Sequence, residues 1–316
     1  MGIKLPKIFC TPRLKMDTFP VLIAFVLIIV FILFTGVTSC IGKLLTFPLL
    51  RRLIWKYWYG KIASDYRNEN KLVFMNYGYK PFEKVGWQLS LSPDEEDDQL
   101  CANLYHRVAF GKTPSSSSTL AGKNCLEVGS GRGGGASFLA RHFNPSSIIG
   151  VDFSASAIAV AQKRHASVKQ LSFQHGDAEN LPFESSTFDL VINVESSHCY
   201  GSVARFVSEV IRVLKVGGSF HMCDFRARDE MRALEAILRA QPGLRVVEVE
   251  DITPNVVSAL EQDDERKRKE ILSKTSFLFK SLMEEFAGLK GGVIYDGFKS
   301  RTILYYRFEC QKVALA

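Results

Sequence analysis

Residues 127–134 read Glu-Val-Gly-Ser-Gly-Arg-Gly-Gly, and they stand where an apolar burst, NCLEV at residues 124–128, gives way to a helical pattern. Glycines at such a position let the backbone adopt positive φ and approach a ligand closely. The free N–H groups at the start of the following helix suit a carboxylate or a phosphate. The stretch therefore predicts the turn from the first strand to the first helix of an α/β domain, with an anionic or zwitterionic ligand beside it.

Short apolar segments and helical patterns continue to alternate after this turn. The strand-like segments are SIIGVD (147–152), LSFQHG (171–176), FDLVINV (188–194), SFHMCDF (219–225), VVEVED (246–251) and RTILYYRFECQK (301–312). Strands that alternate with helices of ten or more residues indicate crossover connections and a parallel sheet. We predict a doubly wound, mainly parallel, seven-stranded Rossmann-like sheet, with the last segment as an antiparallel strand.

The glycines alone leave the cofactor open. Gly129, Gly131 and Gly134 also satisfy the GxGxxG pattern of dinucleotide-binding folds. Asp152 ends the predicted second strand, where a carboxylate can accept hydrogen bonds from both hydroxyls of a ribose. NAD and S-adenosylmethionine (SAM) both carry that ribose, so neither feature distinguishes them.

The blocks that follow resemble class I SAM-dependent methyltransferases. These blocks are GDAENLPF (176–183), FDLV (188–191) and LKVGG (214–218). The resemblance implies SAM as the cofactor and assigns its contacts along the sheet edge. Glu127, Gly129, Gly131 and Gly133 would hold the methionine end, Asp152 the ribose, and Asp177 with Ala178 the adenine, while Asn193 and Glu195 would line the floor.

A closer resemblance extends over most of residues 55–312. The segments LVFMNYGY (72–79), NLYHR (103–107), LEVGSGRGGGA (126–136) and NVESSHCY (193–200) are similar to the mycobacterial phthiotriolone/phenolphthiotriolone dimycocerosate methyltransferases. Members of that family methylate a hydroxyl of a long, waxy lipid. The resemblance implies a hydrophobic lipid or polyketide-like acceptor.

His198 is the predicted catalytic residue. It follows the fourth strand, and the ordinary pKa of an imidazole suits removal of a proton from a hydroxyl. Tyr105, His106 and Tyr200 are weaker candidates that suit packing or a lid.

Other reactions would use the same cofactor site. A sterol or quinone C-methyltransferase and a phospholipid-base N-methyltransferase differ only in the acceptor pocket. An NAD-dependent reductase is disfavoured because no YxxxK dyad follows the fourth strand. A catalytically inactive scaffold is disfavoured by the complete glycine motif.

The N-terminal region predicts a membrane anchor. Residues 19–37 carry no charge, and at about 1.5 Å of rise per residue they cover roughly the hydrocarbon thickness of a bilayer. We expect a single-pass protein, in the endoplasmic reticulum with its catalytic domain facing the cytosol, where SAM is made. Basic residues on both sides of the segment leave its orientation open.

The chain divides accordingly into five regions. They are a basic tail (1–18), the transmembrane anchor (19–42), interfacial and lid helices interrupted by an acidic loop at 94–98 (43–110), a Ser-rich linker (111–123) and the methyltransferase domain with a helical cap around 254–290 (124–316).

Charge and cysteine content exclude other classes. The net charge is +7, but the basic residues are scattered or flank the apolar segment, so lipid headgroups are favoured over nucleic acid as the partner. Seven cysteines without a CxxC pair argue against a disulfide framework and a zinc site, and we expect no metal.

Overall fold

The computed structural model describes residues 73–82, 91, 93–111, 119–271, 283–284 and 287–315. The basic tail, the anchor at 19–42, the interfacial segment at 43–61 and most of the Ser-rich linker lie outside these residues, so their predictions are untested. Within the part that the structure describes, no helix has both the length and the apolar character needed to span a bilayer.

Seven strands form one mixed sheet, as the sequence predicts. The strands are β1 (Asn124–Val128), β2 (Ser147–Asp152), β3 (Leu171–His175), β4 (Phe188–Val194), β5 (Leu214–Ala227), β6 (Leu244–Asp251) and β7 (Ile303–Lys312). Their order across the sheet is β3-β2-β1-β4-β5-β7-β6. The first five run parallel, and β7 pairs antiparallel with both β5 and β6.

The register brings the carboxyl ends of the parallel strands to one edge. Val128 pairs with Val151, and Asp152 pairs with His175. In open parallel sheets, ligands bind outside these strand ends, at the point where the strand order reverses. Here the order reverses between β1 and β4, which places a ligand site above those two strands.

The described helices connect and cover the strands. They are α1 (Gln99–Phe110), α2 (Gly134–Phe143), α3 (Ala155–Arg164), α4 (Val203–Val213), α5 (Arg228–Ala240), α6 (Thr253–Ile271) and α7 (Val293–Lys299). Two apolar clusters are buried by this arrangement. One includes Leu104, Phe138 and Phe298, and the other includes Phe206 and Phe220, all wholly or nearly wholly buried. Burial of these side chains supplies the main driving force for folding.

Two segments differ from the sequence predictions. The acidic run at 94–98, predicted as a loop, forms the 3-10 helix Pro93–Asp98 that leads directly into α1. Proline suits the first turn of a helix, and acidic residues there complement the helix dipole.

Residues 73–82, predicted to belong to the lid helices, form a non-helical segment that we call the strap. The Tyr79 N–H donates to the Leu100 carbonyl (2.9 Å), and the Lys80 N–H donates to the Asn255 carbonyl (3.2 Å). Gly78, at φ 86°, and Pro81 interrupt the helical pattern.

The antiparallel part of the sheet contains buried ion pairs. Arg307 of β7 is wholly buried, and its Nη1 and Nη2 atoms donate to Glu248 (2.7 Å) and Glu309 (2.6 Å). Arg107 of α1 pairs with Glu250 of β6 beside them. The pair of Arg107 and Glu250 ties α1 to β6, the strand at the edge of the sheet.

Candidate active site

A cavity lies at the carboxyl edge of the parallel strands. Its walls come from the turn after β1, the end of β2, the loop after β3, the end of β4 and the strap. The lining includes Val73, Phe74, Met75, Asn76, Tyr105, Gly129, Gly131, Asp152, Asp177, Ala178, Glu195, Ser196, Cys199 and Tyr200. Six of the ten predicted site residues are among them.

The glycine turn, residues 129–134, has a backbone that only glycine tolerates without strain. Gly129 has φ 78° and Gly131 has φ 52°. A Cβ atom on Gly129 would overlap Ser196, and one on Gly131 would lie 2.6 Å from the Met75 methyl. Side chains here would therefore close the cavity as well as strain the turn.

Asp152 connects the turn to the end of β2. Its Oδ2 accepts a hydrogen bond from the Gly131 N–H (2.8 Å), and its Oδ1 accepts one from the Ser154 N–H (2.8 Å). Burial raises the pKa of this carboxyl, and the two backbone donors oppose the shift. Because each oxygen has a further lone pair and the residue lines the cavity, Asp152 can accept ligand hydroxyls.

Asp177 and Ala178 line the cavity at its far end, in the loop after β3. Asp177 Oδ1 accepts a hydrogen bond from the Glu179 N–H (3.0 Å), which fixes the loop as an Asx turn. The structure thus brings this pair to the same cavity as Asp152.

Glu127 lies behind the lining rather than in it. The carboxyl is wholly buried, and its Oε1 accepts a 2.6 Å hydrogen bond from the hydroxyl of Tyr105, a residue that lines the cavity. Its Oε2 has no hydrogen-bond partner among the described residues. Burial raises the pKa of Glu127 to about 8, against the opposing effect of the Tyr105 hydrogen bond.

Gly133 and Asn193 also support the site from outside the lining. Gly133 caps α2 with φ 83°, where a Cβ atom would overlap the Phe173 ring. Asn193 Nδ2 donates to Ser196 Oγ (2.6 Å) and to the Tyr200 hydroxyl (3.0 Å). These contacts hold Ser196 and Tyr200 against the glycine turn.

His198 also lies outside the cavity lining. Its Nδ1 is 2.8 Å from Oδ1 of Asp224, a wholly buried residue of β5. Burial acts to lower the pKa of His198, but Cys199 and Asp224 outweigh it and raise that pKa to about 10. The imidazole is therefore protonated at neutral pH and paired with a carboxylate, a state that cannot accept a proton.

Glu195 lines the cavity immediately after β4. Its backbone has φ 46°, which is rare for a residue with a side chain. Its Oε1 accepts hydrogen bonds from the Tyr77 N–H (2.8 Å) and the Tyr305 hydroxyl (2.7 Å). Burial raises the pKa of Glu195 to about 7, and both hydrogen bonds oppose the shift.

From the sequence, Tyr105 is only a weak candidate and Tyr305 is not a candidate. The strap residues Met75 and Asn76 lie in a segment that is predicted to form a lid, but neither is predicted as a site residue. Tyr305 lies 110 positions from Glu195 in the chain, and no local pattern connects them. Residues 72–79, which include most of the strap, resemble the family, but this resemblance does not predict that the strap covers the glycine turn.

Comparison with known proteins identifies the family. A family described as "Methyltransferase domain" matches residues 126–222. A phthiotriol/phenolphthiotriol dimycocerosates methyltransferase of Mycobacterium tuberculosis is 37% identical over 257 residues, which cover 81% of this chain and 91% of that protein. The chain belongs to this methyltransferase family.

Two further relatives add to this result. A fatty-acid O-methyltransferase of Mycolicibacterium smegmatis is 36% identical over 213 residues, covering 67% of this chain and 72% of that protein. The crystal structure of a geranyl diphosphate C-methyltransferase from Streptomyces coelicolor, in complex with S-adenosyl-L-homocysteine, matches with a TM-score of 0.55 and 17% identity, over 81% of this chain and 98% of that chain. The match to that structure shows a shared fold. As a member of the methyltransferase family, the protein uses SAM as its cofactor, as the sequence predicts.

The buried carboxyl of Glu127 should make the stability of the cofactor-free methyltransferase depend on pH. Its pKa is raised from 4.5 to about 8, so the folded state binds the proton more tightly than the unfolded chain does. The contribution of Glu127 to the free energy of unfolding is fully present below the pKa that this carboxyl has in the unfolded chain. It is lost, at about 1.4 kcal/mol per pH unit, as pH rises to the pKa that the carboxyl has in the folded state. Urea unfolding at about pH 5.5 and about pH 7.5 measures the loss.

The Glu127→Gln variant should lose less stability than the wild type between these two pH values. Glu195 titrates in the same window in both proteins, so the difference between the two proteins isolates Glu127. The control is Glu235→Gln, which removes a carboxylate that is 30% exposed on α5. Equal losses in wild type and Glu127→Gln would contradict the assignment.

Proposed function

We propose that this methyltransferase transfers a methyl group from SAM to a hydroxyl of a hydrophobic lipid or polyketide-like acceptor. The supporting observation is that one cavity contains Asp152 and Asp177 on one side and Glu195 on the other, with the apolar strap residues Val73 and Met75 over it. Such a cavity can hold a polar nucleoside and an apolar acceptor together. The relatives, which include a fatty-acid O-methyltransferase, favour a lipid.

The polar groups of the cavity fit SAM. We assign the ribose hydroxyls to Asp152 and the adenine to Asp177 and Ala178, while Gly129 and Gly131 receive the methionine end. The fit is supported by the acceptor capacity of Asp152 and by the space that only glycine leaves above the turn. Each hydrogen bond to a carboxylate contributes about 1.5–3 kcal/mol.

Three predicted residues act from behind the lining in this proposal. Glu127 holds Tyr105 at the methionine end through the hydrogen bond between its Oε1 and the Tyr105 hydroxyl. Gly133 keeps α2 close to the sheet, and Asn193 holds the floor of the cavity.

The protein contributes alignment and exclusion of water. When bound, SAM supplies a methyl group on a positively charged sulfur, which is intrinsically reactive. The strap covers the glycine turn, since the ideal Cβ of Gly134 would lie 2.7 Å from the Val73 carbonyl oxygen. A covered site with the acceptor oxygen held in line with the methyl group accounts for most of the expected rate.

The membrane anchor predicted at residues 19–37 is part of this proposal. It would keep the domain at the bilayer, where lipid acceptors are concentrated, with the catalytic domain on the cytosolic side of the endoplasmic reticulum.

Incubation of the full-length chain, in detergent micelles, with methyl-labelled SAM and a total lipid extract tests the proposal. We expect label in an organic-soluble product that mass spectrometry identifies as a methyl group on oxygen. The Asp152→Ala variant should give no labelled product under the same conditions. Label on carbon or nitrogen, or only in water-soluble material, would replace the proposal with a different acceptor chemistry.

A further inference from the structure

We propose that Glu195 is the catalytic base that takes the proton from the acceptor hydroxyl, and that it makes the site selective for hydroxyls over carboxylates. The inference rests on the proposed function, because it names a group that acts on that acceptor. It differs from the prediction for His198, which lies outside the cavity lining.

The two carboxylate oxygens of Glu195 have different surroundings. Both described hydrogen bonds, from the Tyr77 N–H and the Tyr305 hydroxyl, reach Oε1. No described residue donates a hydrogen bond to Oε2. This oxygen is nevertheless not one of the fully buried atoms without a hydrogen-bond partner. Since Glu195 lines the cavity, Oε2 is the oxygen available to an acceptor.

The backbone holds this carboxylate in place. The Glu195 N–H donates to the Cys223 carbonyl (3.0 Å) of the neighbouring strand, and φ is 46°. Residues with side chains adopt this conformation only where the surrounding structure requires it, and such residues cluster at active sites. The side chain of Glu195 contacts the strap at the Tyr77 N–H and lines the cavity.

The protonation state of Glu195 suits a base at neutral pH. Burial raises its pKa to about 7, so the ionised and protonated forms are both populated under working conditions. The titratable and charged groups around it come from the strap, α1, the turn after β4, β5 and β7. They are Tyr77, Tyr105, His198, Cys223, Asp224, Arg226 and Tyr305.

These neighbours leave Glu195 as the available proton acceptor. His198 is held protonated by Asp224, whose own pKa stays well below its usual range because Arg226 and His198 outweigh its burial. Burial raises the pKa of Tyr105 and of Tyr305, so both hydroxyls stay protonated. His198 and Tyr305 are therefore positioning residues that tune and orient Glu195.

The proposed step conserves atoms and charge. The acceptor oxygen forms a bond to the methyl carbon while the bond between that carbon and sulfur breaks, and its electron pair stays on sulfur. The hydroxyl proton passes to Glu195 Oε2. The products are a methyl ether and S-adenosylhomocysteine, and the carboxyl then releases the proton to solvent.

This chemistry distinguishes two acceptor classes. A hydroxyl must lose its proton during transfer, so it gains from a base that typically contributes about 100-fold to 10,000-fold in rate. A fatty carboxylate is already ionised at neutral pH and needs no base. An ionised Glu195 would repel such a carboxylate.

The first experiment uses the full-length chain in micelles with hexadecanol and hexadecanoic acid, which have equal chain lengths. In the Glu195→Gln variant we expect methylation of hexadecanol to fall at least about 100-fold, and methylation of hexadecanoic acid to stay constant or rise. The wild-type kcat/KM for hexadecanol should increase as pH rises through about 7, and this increase should be absent from the variant. Glu235→Gln is the matched control and should behave as the wild type.

A second readout is independent of activity. The infrared difference between wild type and Glu195→Gln, with S-adenosylhomocysteine bound, should show one protonated carboxyl that titrates near pH 7. The Tyr305→Phe variant removes a hydrogen bond to the ionised form and should move that titration to higher pH. Circular dichroism should give the same spectrum for the wild type and both variants, which shows that they fold.

The outcomes separate the two proposals. If the increase in kcat/KM with pH were lost in His198→Gln and kept in Glu195→Gln, Glu195 would not be the base. The absence of a carboxyl that titrates near pH 7 would also overturn this assignment. Faster methylation of hexadecanoic acid than of hexadecanol by the wild type would overturn the selectivity. If the protein bound S-adenosylhomocysteine but methylated neither compound, the proposal of a lipid acceptor would be overturned. The infrared titration would still determine the protonation state of Glu195.

Discussion

Replacing Asp152 with alanine is expected to weaken the binding of S-adenosylhomocysteine by at least about 100-fold. Two ribose hydroxyls donating to one carboxylate contribute about 1.5–3 kcal/mol each, and every 1.4 kcal/mol changes affinity about tenfold. The substitution also removes the acceptor for the Gly131 N–H, so the glycine turn loses a support at the same time. Isothermal titration calorimetry measures the change directly.

The matched control for this experiment is Asp189→Asn. Asp189 is also an aspartate of the parallel sheet, but it lies near the start of β4 and pairs with Lys215, away from the cavity. Its substitution should leave the affinity unchanged. If Asp152→Ala bound S-adenosylhomocysteine as tightly as the wild type does, the proposed cofactor contacts would be wrong.

Replacing Arg307 with methionine is expected to lower the free energy of unfolding by about 3 kcal/mol. Removing one partner of a buried ion pair typically costs about 3–5 kcal/mol, because the remaining charge stays buried without compensation. We expect the low end because Glu248 and Glu309 keep 29% and 31% exposure and can be partly hydrated. Urea unfolding monitored by circular dichroism measures the loss.

Arg239→Met provides the comparison for this measurement. Arg239 pairs with Glu235 on the surface of α5, and 54% of its side chain is exposed. An exposed pair contributes about 1 kcal/mol or less. A loss for Arg307→Met no larger than that for Arg239→Met would show that the buried network does not stabilise the sheet.

The order of strands and helices could be predicted from the sequence because it is encoded locally. Four of the five parallel strands, β1 to β4, have five to seven residues. Their short apolar runs alternate with helical patterns, which makes them recognisable in the sequence. The glycine turn and Asp152 were predictable for the same reason, since strand ends in a parallel sheet share one edge.

The long-range contacts that organise the cavity were not predictable in this way. Tyr105 reaches Glu127 from α1, and Tyr305 reaches Glu195 from β7. These pairs are 22 and 110 positions apart in the chain. Neither spacing corresponds to a helical or strand period, so only the folded arrangement reveals them.

His198 illustrates how the environment changes the chemistry expected from residue type. An isolated imidazole is the usual candidate for a base near neutral pH. Asp224 lies on the neighbouring strand β5, and its buried carboxylate holds His198 protonated. The sequence NVESSHCY contained a base candidate in Glu195, but burial rather than residue type gives that carboxyl its suitable pKa.

The position of β7 has a consequence for biosynthesis. It lies between β5 and β6, although it is the last of these seven strands to be synthesised. A nascent chain that already contains β6 therefore cannot complete the sheet, and a premature stop codon before Ile303 would remove a central strand together with Tyr305. Such truncated products would expose a long unpaired edge on β5, which makes them targets for chaperones and proteolysis.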